Sequence, residues 1–340
     1  MASLLIKHPE IRPYRYPLFD AVAKHHRVRF LFNRSMEGRR YDYAVIGTSK
    51  PSMWRDWHSV RTFFREVALG DYDALVSSTP TASATIAAVL IASLRRKPVV
   101  VWTEEWRPAF AGLKGLVRRI LHKMVYRLTK AHFATSTKAV KFLAGNFAVP
   151  DSDIFFSPQC NQDLAQIKPA ATRLPIPEGA FVFFFLARVI HYKGLDYLLR
   201  AFARIQVDHP EAFLLIVGDG DEATRCKQLA RDLAIRSCLF YGAIPDRDEA
   251  MKASCFTACD VFVLPARIHR NHCEGWGLVV GEAMSMGRPV ITTDAVGCSE
   301  DMIEEGVNGY VVRHSSVEDL ANAMRRVLKN RDKLSSMSKA

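Results

Sequence analysis

The sequence has no uninterrupted apolar run near the roughly twenty residues that a membrane-spanning helix needs. Its longest such stretches fall at residues 82–92 and 180–187, so no spanning helix is expected. Its seven cysteines are an odd number, form no Cys-x-x-Cys pair and all lie after residue 159, in a chain of 340 residues that is too large to need covalent stapling. A disulfide framework is therefore not expected, and a reducing compartment is. No signal-peptide pattern opens the chain: residues 1–6 run directly into what reads as a first strand, which makes the expected location cytoplasmic. Gly-x-Gly-x-x-Gly is missing after that strand, where Pro9 and Pro13 stand, and this argues against a nicotinamide-dependent dehydrogenase. There is no helix-turn-helix, zinc-finger or aromatic RNA-stacking pattern, so nucleic acid is not an expected partner.

Charge of one sign is scarce in half of the chain. Residues 1–160 hold 25 Lys and Arg against 12 Asp and Glu, whereas residues 161–340 hold 22 against 23. The whole excess is N-terminal, and it suits an extended anionic partner such as a membrane surface or a polyanionic glycan. The length suggests two domains. Apolar runs alternate with helical patterns throughout, which predicts an α/β fold class with two Rossmann-like, doubly wound domains facing a central cleft. Pro158, Pro169, Pro175, Pro177 and Gly179 mark the boundary, giving an N-terminal domain over residues 1–158, a linker over 159–178 and a C-terminal domain over 179–340.

The stretch from Glu274 to Glu282 organises the second half. A short buried strand over residues 261–264 precedes it and a helix over residues 278–286 follows, so Gly275 and Gly277 sit at a strand-to-helix loop. Such a loop lets the backbone turn and leaves the first helical amides free for an anion. Glu282 lies inside the helix, where a carboxylate is better suited to accept from sugar hydroxyls, and Glu274 on the loop can face a second polyol. Two solvated surface glutamates are the alternative. Three more features follow strand ends: Arg188 with Lys193 and Gly194, a pair that can meet one polyphosphate; Gly218, Asp219 and Gly220; and Gly242 with Ile244, a wall for a base. In the first half, Arg12, Arg15, Glu104 and Glu105 fall at the carboxyl rim where doubly wound sheets bind ligands, and they read as acceptor-binding or as ordinary loop polarity.

Residues 112–130, opened by Gly112 and closed by Lys130, form the clearest amphipathic helix. Leu113, Leu116, Val117, Ile120, Leu121, Met124, Val125 and Leu128 make its stripe, and Lys114, Arg118, Arg119, His122, Lys123, Arg127 and Lys130 fill the remainder. Either the stripe packs on the sheet, or the helix makes peripheral contact with anionic membrane at the inner face. Asp-x-Asp triplets at residues 71–73, 151–153 and 246–248 read as caps and turns. His269, His272 and Cys273 are irregularly spaced, and no metal is expected.

Taken in order, Leu186, Ala187, Arg188, Tyr192, Lys193 and Gly194, then Ile216 to Gly220, then Gly242, then Glu274 to Glu282, then Gly287 to Val290 and Glu304 to Gly309, resemble the C-terminal domain of family-four retaining glycosyltransferases with the GT-B fold. The resemblance covers about residues 180–313. It implies that Arg188 and Lys193 neutralise the diphosphate of a UDP- or GDP-sugar without a metal, and that Glu274 meets sugar hydroxyls. It further implies that the amides of Gly275, Trp276, Gly277 and Leu278 hold phosphate and sugar, and that Glu282 accepts from the ribose. The implied reaction is metal-independent sugar transfer with retention to a glycan or lipid-linked acceptor, with the nucleotide-sugar as substrate and no tightly bound cofactor.

The sequence departs from that family at two places. Arg12, Pro13, Tyr14 and Arg15 stand where many relatives have a glycine pair, and Thr103, Glu104 and Glu105 stand where many have a histidine that touches the sugar. Relatives usually continue into a last helix that returns to the first domain, so the chain is expected to be truncated or capped differently. A nucleotide-sugar epimerase or other GT-B enzyme, and a non-catalytic glycan- or lipid-binding subunit, are the competing expectations.

Overall fold

A strand buried on both faces must be apolar at every position, and the run Phe181–Leu186 has that character. In the computed structural model it is the central strand of one of two parallel sheets. Residues 1–8, 15–32, 44–46, 57–78, 83–107, 112–160, 163–245, 248–270 and 272–337 are described. The chain divides into two units, Met1–Gln159 and Cys160–Ala340.

The first unit contains strands β1 (Ser3–His8), β2 (Arg27–Phe32), β3 (Ala44–Ile46), β4 (Ala74–Ser78), β5 (Val99–Thr103), β6 (Ala131–Ala134) and β7 (Ile154–Phe156). Its helices are α1 (Tyr16–His25), α2 (Trp57–Leu69), α3 (Ser83–Leu94), α4 (Gly112–Leu128) and α5 (Thr137–Phe147). The strands lie in the order β3-β2-β1-β4-β5-β6-β7, a doubly wound sheet whose order reverses between β1 and β4. Leu5, Leu75, Val99 and Val101 pack against Ala88, Val89 and Ala92 of α3 in its core. β6 stops at Ala134. Ser136 turns away so that its hydroxyl accepts the Ala139 N–H at 3.0 Å and caps α5.

The second unit contains β8 (Phe181–Leu186), β9 (Ala212–Val217), β10 (Cys238–Gly242), β11 (Val261–Leu264), β12 (Val290–Thr293) and β13 (Gly309–Val312). Its helices are α6 (Leu195–Ile205), α7 (Ala223–Asp232), α8 (Glu249–Thr257), α9 (Leu278–Ser285), α10 (Ser299–Met302), α11 (Val317–Lys329) and α12 (Leu334–Met337). The order β10-β9-β8-β11-β12-β13 reverses between β8 and β11. Alternation within β8 divides the core: Phe181, Phe183 and Phe185 face Leu198, Leu199 and Phe202 of α6, whereas Val182 and Phe184 face Phe256 of α8. Each fully buried phenylalanine contributes about 1.5–3 kcal/mol. Helix α6 begins only after Gly194, which is left-handed at φ 73°, and ends where the chain turns after Ile205.

The most deeply buried charge among the described residues of the first unit is in β1. Lys7 in β1 is 1% exposed, and its ammonium donates to Thr85 Oγ1 at 3.1 Å. Burial pushes its pKa from 10.5 down to about 8. Between those values the unfolded chain binds more protons than the folded one, so stability rises with pH across that window and is lost as pH falls through about 8. The difference is about 3 kcal/mol. Lys7→Met is therefore expected to raise the urea midpoint at pH 7 and to flatten its rise between pH 8 and 10. A lower midpoint with the slope intact would mean that the ammonium is stabilising.

Candidate functional site

Where strand order reverses, the loops leaving two adjacent strands diverge and open a crevice at the carboxyl ends. In the second unit these are the loops after β8 and β11, and they carry Lys193 and Glu274. The two side chains form an ion pair, Nζ to Oε2, with only 12% and 16% of their side-chain surfaces exposed. Lys193 closes a single 3-10 turn, His191–Lys193. Glu274 is fixed through its backbone: it bridges to Val296, and its carbonyl accepts the Gly297 N–H at 3.0 Å.

The backbone then turns into α9 through Gly277, at φ 99°, where a Cβ would fall 2.7 Å from Val296 Cγ1. The amides beyond it open a helix N-terminus toward the same loop. Trp276 contributes backbone only, since its side chain is buried in the core. Leu278 begins the helix and Glu282 lies one turn on, 8% exposed. Glu282 Oε1 takes an ion pair from Lys252 of α8 at 3.4 Å, and Oε2 is buried without a hydrogen-bond partner among the described residues. A buried carboxylate oxygen left open in this way costs free energy unless a donor reaches it.

The loop after β9 supports the loop after β8. Gly218 donates to Gly242 O at 2.7 Å, and Val189 donates to Asp219 O at 2.9 Å. At Gly218, φ is 139° and a Cβ would stand 1.9 Å from Ala187 O, so only glycine allows this approach. Gly242 ends β10, and Ile244 just after it is half-buried against the second core cluster. Arg188 is exposed on the loop between these supports.

Two residues that the sequence reading did not select hold the site. Lys252 is one, through Glu282. The other is Arg267, which is 6% exposed. Its Nε donates to His191 O at 2.9 Å, its guanidinium pairs with Asp196 at 3.1 Å, and its plane lies 4.5 Å from the Tyr197 ring. Its amide donates to Tyr192 O at 2.8 Å. Arg267 thus pins the turn that presents Lys193. His269 and His272 pair with each other as a tight antiparallel bridge, and His269 meets His191 edge to face at 3.9 Å. Among the described residues no group of three or more His, Cys, Asp and Glu gathers around a metal-sized space.

In the first unit, Arg15 is 7% exposed, pairs with Glu104 at 2.5 Å and lies 4.8 Å from the centre of the Trp102 ring. Glu105 turns the other way, to Arg118 at 3.0 Å and to the buried His122 at 2.8 Å on α4. Burial raises its pKa, but bonds and charge from His122 and Arg118 outweigh that and hold it below the usual carboxylate value. Arg12 lies outside the described residues. The apolar stripe expected on α4 is split: Val125 packs inward beside Gly115, His122 and Tyr126, while Leu113, Leu116, Val117, Ile120 and Leu128 are exposed.

A model of the family described as glycosyl transferases group 1 matches residues 167–340. The chain is 25% identical over 220 residues to a poly(glycerol-phosphate) alpha-glucosyltransferase of Bacillus subtilis, a match covering 64% of this chain and 30% of the relative. It is 35% identical over 175 residues to a D-inositol 3-phosphate glycosyltransferase of Geodermatophilus obscurus, covering 49% of this chain and 37% of the relative. It thus spans about a third of the length of each of these curated relatives. Among solved structures, Anabaena HepE in complex with UDP superposes with a TM-score of 0.75 at 17% identity, covering 99% of this chain and 93% of HepE. That likeness shows the fold, which is of the GT-B type.

Removing one partner of a buried ion pair typically costs about 3–5 kcal/mol, because the other charge stays behind without compensation. Arg267→Leu is expected to lose that much in urea unfolding, and Asp196→Asn in the same background to recover part of it. Additive losses in this double-mutant cycle would mean that the two side chains do not act on each other.

Proposed function

The chain belongs to the glycosyl transferases group 1 family, and from that premise we propose that it moves a hexosyl group from a UDP- or GDP-sugar to a glycan or lipid-linked acceptor, with retention and without a metal. The observation behind this reading is the contact of Lys193 with Glu274 beside a glycine-turned helix N-terminus at a sheet switch point. An ammonium and a carboxylate are held together where a diphosphate and a sugar would meet.

In this reading the bond from the anomeric carbon to the diphosphate oxygen breaks, and negative charge grows on the departing diphosphate. Arg188 and Lys193 take up that charge, the part that a divalent cation plays in other sites. Glu274, drawn off Lys193, accepts from hydroxyls of the donor sugar. The amides of Gly275, Trp276, Gly277 and Leu278 face phosphate and sugar, Gly218 lets the backbone come close, and Gly242 with Ile244 walls the base. Glu282 accepts a ribose hydroxyl at its open oxygen. The acceptor hydroxyl bonds to the anomeric carbon on the face that the leaving group vacates, and a donor phosphate oxygen takes its proton.

Both curated relatives are named for phosphate-bearing substrates. The cationic excess of residues 1–160 supports an anionic acceptor of that kind, with Arg15, Glu104 and Glu105 as candidate contacts.

Purified protein screened by thermal shift and sugar release against UDP-, GDP-, ADP- and TDP-sugars, with and without EDTA, tests the reading. One nucleotide is expected to raise Tm, with sugar release insensitive to EDTA and the donor's anomeric configuration kept in the product. Lys193→Ala is expected to lower turnover by about 100-fold or more, and Glu282→Ala to raise the donor KM about tenfold. Near-normal turnover in Lys193→Ala together with an unchanged donor KM in Glu282→Ala would remove the proposal. No shift with any nucleotide would point to a non-catalytic binding subunit, and conversion of the sugar with no acceptor present would point to an epimerase.

A further inference from the structure

The outer face of α4 changes character along its length. Leu113, Leu116, Val117 and Ile120 occupy positions i, i+3, i+4 and i+7 and are 78%, 53%, 49% and 58% exposed. One continuous apolar patch therefore covers the first turns of one helix face. In the following turns that face carries Lys123 and Arg127, and Lys130 lies just past the helix end. These three cations, none of them in an ion pair among the described residues, line a cavity of about 470 Å³. The cavity lies at the amino end of β6, beneath the ends of α4 and α5. Its wall includes the buried His132, and Asp153 is the one carboxylate among the lining residues. Three cations face one anion there.

A bland account exists for part of this pattern. A cation in the last turn of a helix suits the negative end of its dipole, and that covers Arg127. It explains neither Lys123 nor four apolar side chains left in water on one face. Apolar surface continuous with a cationic cavity matches one partner in both respects: acyl chains for the first half of the helix and phosphate headgroups for the second. No described helix is long and apolar enough to cross a membrane, so the contact suited to α4 is peripheral.

We propose that α4 and the cavity at its end are a docking surface for an anionic phospholipid bilayer, with Leu113, Leu116, Val117 and Ile120 entering the acyl boundary and Lys123, Arg127 and Lys130 receiving a lipid phosphate. The inference stands apart from the transferase reading, since none of these residues belongs to the donor site.

Sedimentation of the whole protein with phosphatidylcholine vesicles, with and without about one-third phosphatidylglycerol, tests it. Binding is expected with the anionic vesicles only and is expected to weaken as salt rises. Each basic side chain near an anionic surface is worth roughly a factor of five, so Lys123→Gln with Arg127→Gln should weaken binding about 30-fold. Leu116→Glu with Ile120→Glu, at exposed positions that leave the core intact, should also abolish pelleting. Any Tm rise with nucleotide should be the same in both double variants and the wild type, which separates failure of the surface from failure of the donor site. Equal binding to neutral vesicles, or wild-type binding by either double variant, would overturn the proposal. Release from vesicles by millimolar inorganic phosphate, with a matching rise in Tm, would reassign the cavity to a soluble anion.

Discussion

A parallel sheet covered by helices on both faces has no polar surface except at its ends. Both units are built this way, so anything that recognises a charged or hydroxylated molecule must sit on the loops that leave the strands. In the second unit the reversal between β8 and β11 decides which loops meet. The close approach of the turn ending at Lys193 to Arg267 follows from packing two divergent loops over one crevice, and Gly218 brings the loop after β9 against Ala187 to support them.

The charges of Lys193, Glu274 and Glu282 at that crevice are paired, one oxygen excepted. Lys193 and Glu274 satisfy each other in the free protein, and Lys252 satisfies only one oxygen of Glu282. A buried ammonium without a counter-charge would cost more than a pair does, so Glu274 stabilises Lys193 where it stands. Arg267 serves the same end by other means. It is committed to Asp196 and to the His191 carbonyl, and it is buried. Each of the two cations is thus held by its own carboxylate, Lys193 by Glu274 and Arg267 by Asp196.

The alternation of strands and helices was legible because continuous apolar runs such as Phe181–Leu186 and amphipathic stretches such as Leu195–Ile205 have unmistakable spacing. The strands Ala44–Ile46, Val290–Thr293 and Gly309–Val312 are too short to establish a period and passed unread, whereas the equally short Val261–Leu264 was legible as an unbroken apolar run. The positions of Glu274, Glu282, Gly218 and Gly242 after strand ends or inside a helix could be placed because glycine and strand-end signals are local. Arg267 and Lys252 could not. Their partners lie 76 and 30 residues away, and only the sheet order brings them together.

The same distinction explains α4. Its sequence offers a wide apolar stripe, and burial alone would turn that whole stripe toward the sheet. The helix is instead rotated so that His122 faces inward, where its ring donates to Glu105 and stacks on Tyr126. Glu105 is fixed at the end of β5, and Arg118 one turn away on the same helix closes the clamp. Three polar side chains thereby set the rotation against the hydrophobic preference of four others. Leaving Leu113, Leu116, Val117 and Ile120 largely exposed forgoes about 1.5–3 kcal/mol for each side chain that could have been fully buried. A fold tolerates such a loss most readily where a second apolar phase can recover it.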